Sequence, residues 1–216
     1  MSGAVTAWVL VRGRFVPSPD VERVRREWPP SFVVAADGGI DHAPLLGVRP
    51  DLWVGDFDSS DPADPRWQDI ERVVYPRDKD ELDAELALRA AHDRGARRFV
   101  VWGAFGGRFD HTLALANIAI DWAERGHDML LHSGDESAVP FLGGKPLELD
   151  VEPGQTISVL ALATLEATRF EGVRWPLRGD TVTPGTVRTM SNEATGQRVR
   201  LTATRGRGLV VLQHAI

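Results

Sequence analysis

Residues 51–60 read DLWVGDFDSS, and this stretch decides how the rest of the chain is understood. Leu52, Trp53 and Val54 favour a strand, bounded by Pro50 and Gly55. The apolar run stops and two acids follow, Asp56 and Asp58, with one residue between them. A strand running into Gly-Asp-x-Asp carries acids to the carboxyl end of a sheet, where open α/β proteins bind ligands. Carboxylates that close repel unless a cation lies between them, and Mg²⁺ takes one or two carboxylates plus phosphate oxygens. Taken alone the pair reads more readily as a solvated turn, because Asp and Ser are ordinary turn residues.

Working outward, similar loops end the neighbouring strands. Ser31–Ala36 predicts a strand ending in Asp37-Gly38-Gly39, glycines that permit close backbone approach to a ligand. Upstream, Ala4–Arg12 predicts a strand, and Asp20–Trp28 a helix with Asp20 as N-cap. Ile40–Leu46 predicts a helical turn closed by Gly47, and Arg72–Tyr75 a further strand. Leu82, Leu86 and Leu88 have helical spacing over Glu81–Arg94, behind the acidic entrance Asp78-Lys79-Asp80-Glu81-Leu82-Asp83. After a strand at Arg98–Gly103, Gly106-Gly107-Arg108-Phe109-Asp110-His111 leads into a helix over Thr112–Arg125. Glycines, a guanidinium and a helix N-terminus together suit an anion. Asp128–His132 predicts the last strand of this half.

From Ser137 the pattern changes to short runs broken by Gly and Pro: 140–142, 147–151, 156–162, 165–170, 186–190, 197–204 and 208–213. This predicts a small β-sandwich or barrel. The expected organisation is an α/β domain with an open, mostly parallel sheet over residues 1–134, then an all-β sandwich domain over 135–216.

Composition narrows the classes. With 216 residues, 43% hydrophobic and 26% charged, the chain has a core and no run of membrane-span length. The absence of cysteine removes disulfide and thiolate chemistry and suits a cytoplasmic location. A formal charge of −6 argues against bulk nucleic-acid affinity. If the strands form one sheet, carboxylates, glycines, Arg108 and the point charge of Lys79 meet at one edge, the parts phosphoryl transfer needs.

The segments AADGG (35–39), PDLWVGDFDS (50–59), DKDELDAELAL (78–88), GGRFDH (106–111) with Asn117, GVRWPL (172–177) and SNE (191–193) resemble the thiamin pyrophosphokinase family in order and spacing. The resemblance implies an α/β domain followed by a β-sandwich, and a homodimer with thiamin bound between subunits. It implies diphosphoryl transfer from ATP to thiamin with Mg²⁺. Asp56, Asp58 and Asp83 would be the metal acids, with Asp80 close by; Asp37, Gly38, Gly39, Lys79, Gly106 and Gly107 would line the nucleotide site. Arg108 would meet phosphate. Asp110 would act as base, thiamin contact or structural residue, and His111 would contact thiamin or orient the loop. Trp175, Ser191 and Asn192 would form the thiamin pocket, a Trp face suiting a cationic heteroaromatic ring. Leu82 departs from the family's usual Thr.

Two other classes compete. An aspartyl-phosphate phosphatase of haloacid-dehalogenase type would use Asp56 as nucleophile and need a lysine such as Lys145, leaving GGRFDH unexplained. A non-catalytic thiamin or nucleotide sensor would not need so many converging acids.

Overall fold

Buried apolar runs such as Thr6–Leu10 and Arg98–Trp102 need cover on both faces, and the fold supplies it. The computed structural model describes residues 4–76, 78 and 80–216. Strands β1 (Thr6–Leu10), β2 (Phe32–Ala36), β3 (Leu52–Gly55), β4 (Glu71–Val74), β5 (Arg98–Trp102) and β6 (Asp128–His132) pair in parallel, in the order β4-β3-β2-β1-β5-β6. Helices α2 (Asp83–Asp93) and α3 (Phe109–Glu124) bury one face around Leu88, Phe99, Ala119 and Leu131. Helix α1 (Pro19–Glu27) and a 3-10 turn (Asp37–His42) cover the other, over Trp8, Trp53 and Trp102. β1 pairs with both β2 and β5, so the strand order reverses there and a crevice opens at its carboxyl end.

The second half continues the same sheet. β7 (Glu136–Leu142) lies antiparallel on β6 through Leu131↔Ala138 and His132↔Ser137; β14 (Arg207–Gln213), β9 (Thr156–Ala161) and β12 (Asn192–Glu193) follow, completing ten strands. A four-stranded sheet of β8 (Leu147–Asp150), β13 (Arg198–Thr202), β10 (Leu165–Glu171) and β11 (Leu177–Val182) packs on this antiparallel end. Phe141, Ile157, Val159, Phe170 and Val210 fill the space between them. The fold is therefore an open α/β sheet followed by a β-sandwich, and one sheet serves both halves.

Several boundaries differ from expectation. α3 begins at Phe109, not Thr112, which puts Asp110 and His111 in its first turn. The N-cap of α1 is Ser18, not Asp20. Residues 186–190 form turns rather than a strand, held by Thr189 Oγ1 donating to the Val159 carbonyl at 2.7 Å. β11 and β12 were not anticipated, because Gly179 and a two-residue strand give no periodic signal.

Asp20 has another task. It accepts from His132 Nε2 at 2.7 Å and from Arg23 Nε at 2.6 Å, at the seam between β6 and β7. Gly134 N–H donates to His132 Nδ1 at 2.8 Å, and Ser137 Oγ lies 2.7 Å from His214 Nε2. The Gln155 amide is oriented by Glu152 N–H, so its Nε2 faces His214 Nδ1 at 3.2 Å. The Gly134 N–H sets His132 as the Nε2–H tautomer, and His214 Nδ1 lies 3.4 Å from Asp20 Oδ1. The two imidazole rings stack at 5.3 Å and 5°, and one ligand atom each of Asp20, His132 and His214 lies within 4.8 Å of the others. Burial alone would raise the Asp20 carboxyl, but the bonds from His132 and Arg23 outweigh it and hold it well below the carboxylate range. Burial also pushes the His214 imidazole down to about 4, against an opposing pull from Asp20.

A depressed folded-state pKa means the unfolded chain binds the proton more readily. The stabilisation is complete above about pH 6.5 and declines as pH falls towards 4. Urea unfolding between pH 7 and 4 will show a loss on the order of 1–3 kcal/mol from this source. His214→Gln will flatten that slope; an unchanged slope would remove His214 from the account.

Candidate active site

The crevice at the strand-order reversal is a cleft of about 650 Å³. Val11, Arg12 and Gly13 enter it from the end of β1, Asp37 and Gly38 from β2, and Asp56, Asp58 and Ser59 from β3. Gly103, Ala104 and Gly107 follow β5, while Glu81, Leu82 and Asp83 arrive at the start of α2. Arg108, His111, Thr112 and Leu115 close it from α3.

The acids are placed by local backbone geometry. Phe57 adopts φ 59° and packs its ring edge-on to Trp53 at 4.8 Å, so the chain turns sharply between the two acids. Asp58 N–H then donates to Asp56 Oδ1 at 3.1 Å, an Asx turn. Asp37 has φ 40°, and its carbonyl accepts from Trp53 Nε1 at 2.9 Å. Its buried carboxylate accepts from the hydroxyls of Ser59 and Ser60. One ligand atom each from Asp37, Asp56 and Asp58 lies within 4.8 Å of the others. An all-oxygen, like-charged group of this size fits a hard divalent cation.

Asp37 thus joins the acidic group as well as the nucleotide side on which sequence placed it. The separation of 19 positions from Asp56 hid this; two parallel neighbouring strands, each leading into an acid, were the available signal. Gly38 lines the cleft, but Gly39 serves packing: a Cβ there would sit 2.1 Å from the Leu10 carbonyl oxygen.

Asp83 lies in the first turn of α2 and faces the cleft, whereas Asp80 is exposed and does not line it. Leu82 occupies the N-cap position of α2 and provides no side-chain cap. Lys79, read as a nucleotide contact, lies outside the described residues. Lys145 sits in the turn between β7 and β8, in the sandwich rather than the cleft.

Arg108 holds Asp110 through Nε at 3.1 Å and Nη2 at 2.5 Å, both side chains being exposed. The guanidinium holds the Asp110 carboxyl below the usual carboxylate range. Gly106 abuts the Arg14 side chain, and Asn117 Nδ2 bonds back to the Leu113 carbonyl at 2.8 Å.

Trp175, Ser191 and Asn192 gather at the opposite edge of the sheet. Trp175 is 52% exposed, and the Arg174 guanidinium covers its ring at 4.9 Å, itself tied to Glu193 at 3.0 Å. Asn192 is buried; its Oδ1 accepts from Trp175 N–H at 3.1 Å and Glu193 N–H at 3.0 Å, and its Nδ2 donates to the Trp175 carbonyl at 2.8 Å. It grips the backbone that presents the tryptophan. Ser191, at φ 52°, is exposed and anchored through its own N–H to Ser158 Oγ at 2.9 Å. Six inter-strand steps separate β12 from β1, on the order of 30 Å at sheet spacing.

Family models match both halves: thiamin pyrophosphokinase, catalytic domain, over residues 25–131, and thiamin pyrophosphokinase, vitamin B1 binding domain, over 146–207. No curated protein matches the sequence. Among solved structures, thiamine pyrophosphokinase from Bacillus subtilis superposes with a TM-score of 0.82 at 20% identity, over 98% of this chain and 100% of that one. A thiamin pyrophosphokinase family protein from Enterococcus faecalis gives 0.79 at 22%, over 99% and 100%. Thiamin pyrophosphokinase from Candida albicans gives 0.78 at 14%, over 98% and 90%. At these identities the structural likeness is one of fold.

The packing of Gly39 is open to direct test. Gly39→Ala drives a methyl into the Leu10 backbone and will destabilise the protein by about 1–3 kcal/mol in urea unfolding. A melt superimposable on the parent protein's would contradict this.

Proposed function

Because the chain belongs to the thiamin pyrophosphokinase family, we propose that it transfers a diphosphoryl group from ATP to the primary hydroxyl of thiamin, giving thiamin diphosphate and AMP. The observation that carries this reading is the trio Asp37, Asp56 and Asp58 at the strand-order reversal, facing Arg108 across one cleft. These three would hold a divalent cation, magnesium in our reading, with Asp83 nearby. A bound cation of this kind neutralises polyphosphate charge and orients its oxygens. Ser59 and Ser60 fix the Asp37 carboxylate, and the Asx turn fixes Asp56 relative to Asp58, so the acids are arranged before substrate arrives. Gly107 keeps the nucleotide side open to backbone contact, while Gly38 makes room for the Arg12 side chain. Arg108 meets the phosphates, and Asp110 orients Arg108 rather than taking a proton. His111 faces the same cleft from the first turn of α3.

In this reading thiamin stacks on the exposed face of Trp175, with Ser191 beside it and Asn192 as the backbone clamp. The separation of roughly 30 Å along the sheet keeps Trp175 from serving its own chain's acids. A homodimer removes the difficulty: a two-fold partner lays its β12 edge against this cleft, and each active site draws on both subunits. No helix among the described residues is long and apolar enough to cross a membrane. We place the enzyme in the cytoplasm with its nucleotide substrate.

Incubation with ATP, thiamin and Mg²⁺ will release AMP; release of ADP or inorganic phosphate would refute diphosphoryl transfer. Asp56→Asn will abolish turnover with the circular-dichroism spectrum intact. Trp175→Ala will raise the thiamin KM at least about tenfold while leaving the ATP KM within about twofold. Assayed at thiamin well below the raised KM of Trp175→Ala, an equal mixture of Asp56→Asn and Trp175→Ala will reach about a quarter of parent activity after subunit exchange, because half the dimers are mixed and each carries one intact site. No recovery despite demonstrated exchange would show that each chain builds its own site.

A further inference from the structure

Arg12 belongs to none of the motifs that carry the family resemblance, yet it lies in the cleft beside the acidic trio. It lies two residues beyond the end of β1, at the point where the strand order reverses. Its side chain runs flat over Gly38: a Cβ at that glycine would meet Arg12 Cδ at 2.6 Å and Nε at 3.1 Å. The guanidinium reaches the Asp56–Ser60 loop, where Nη1 donates to the Ser59 carbonyl at 2.6 Å. Among the described residues this is its one hydrogen bond, and it forms no ion pair. Its neighbours behave otherwise: Arg14 is paired with Asp135 and Glu136, and Arg108 with Asp110.

We infer that Arg12 is a further phosphate-binding residue of this enzyme, contacting the polyphosphate of the nucleotide from the β1 side of the cleft. The inference rests on the reading of the cleft as a nucleotide site. A polyphosphate carries several negative charges and is held by cationic side chains as well as by a metal ion. Arg12 offers such a charge from the β1 side, where the hydrogen bond it makes goes to a neutral carbonyl. Holding a loop carbonyl needs a single donor, whereas the guanidinium fork carries five, in a geometry matched to phosphate oxygens. Gly38 then has a specific purpose: its missing side chain is the floor on which the arginine lies.

The decisive variant is Arg12→Gln, which retains a donor for the Ser59 carbonyl and loses the charge. If Arg12 binds phosphate, R12Q will raise the ATP KM about tenfold or more and weaken inhibition by inorganic diphosphate to a similar degree. The thiamin KM will stay within about twofold, and Arg12→Lys will recover part of the loss. If Arg12 only supports the loop, R12Q will match the parent protein in all three constants, and the inference falls. Should R12Q fold poorly, R12K decides: phosphate binding predicts an intermediate ATP KM at unchanged melting temperature, and an unaltered KM overturns it. Failure of the parent protein to form AMP would count against the proposed reaction instead. Calorimetry with magnesium and inorganic diphosphate would then judge Arg12, and equal affinity in both proteins, or none in either, would overturn the inference.

Discussion

The reversal of strand order at β1 is the constraint on which the rest depends. β1 is flanked by β2 on one side and β5 on the other, so the connections leaving its two neighbours pass to opposite faces of the sheet. No crossover fills the space above its carboxyl end, and the loops after β1, β2, β3 and β5 converge there. Backbones approach closely at this point because side chains are missing: a Cβ on Gly39 would strike the Leu10 carbonyl, and one on Gly13 the Gly103 carbonyl. The acids at the rim are then brought together by strand adjacency rather than by nearness in the chain.

This explains what could be read from the sequence. Buried strands such as FVVAA and LWVG stand out as apolar runs, and the strand-then-acid junctions at Asp37 and Asp56 mark the carboxyl edge directly. The change of pattern at Ser137 marked the division into an α/β half and an all-β half, and the family motifs agreed with it. What stayed hidden depended on contacts distant in sequence. Asp20 has the composition of a helix cap, and only the arrival of His132, 112 residues later, makes it part of a buried network. Asn192 has the composition of a turn, and its role appears once Trp175 is seen to cross beside it. Arg12 gave no motif, because its importance lies in having Gly38 beneath it. The early start of α3 escaped because Gly-Gly-Arg resembles a loop continuing, although Phe109 already has helical backbone.

The two chemical regions are nonetheless parts of one object. The acidic trio and Trp175 stand on opposite stretches of a single hydrogen-bonded sheet, and the α/β half contributes the cover for most of it. Arg207 of β14 reaches Glu124 at the end of α3 at 3.1 Å, and Arg14 reaches Asp135 at 2.9 Å, so exposed ion pairs also cross from one half to the other. Exposed pairs of this kind add little stability. They favour one alignment of the halves over others.

The ladder between β6 and β7 has a mechanical consequence. It contains two residue pairs, against five between β5 and β6 and seven between β7 and β14. Across so short a ladder the alignment of the halves rests on what else bridges it: the core that α3 shares with Ala138 and Leu209, and the contacts of Asp20 with His132 and His214. In a two-fold assembly, whatever holds that seam straight would also set how an aromatic face meets the opposite subunit's cleft, far from either substrate.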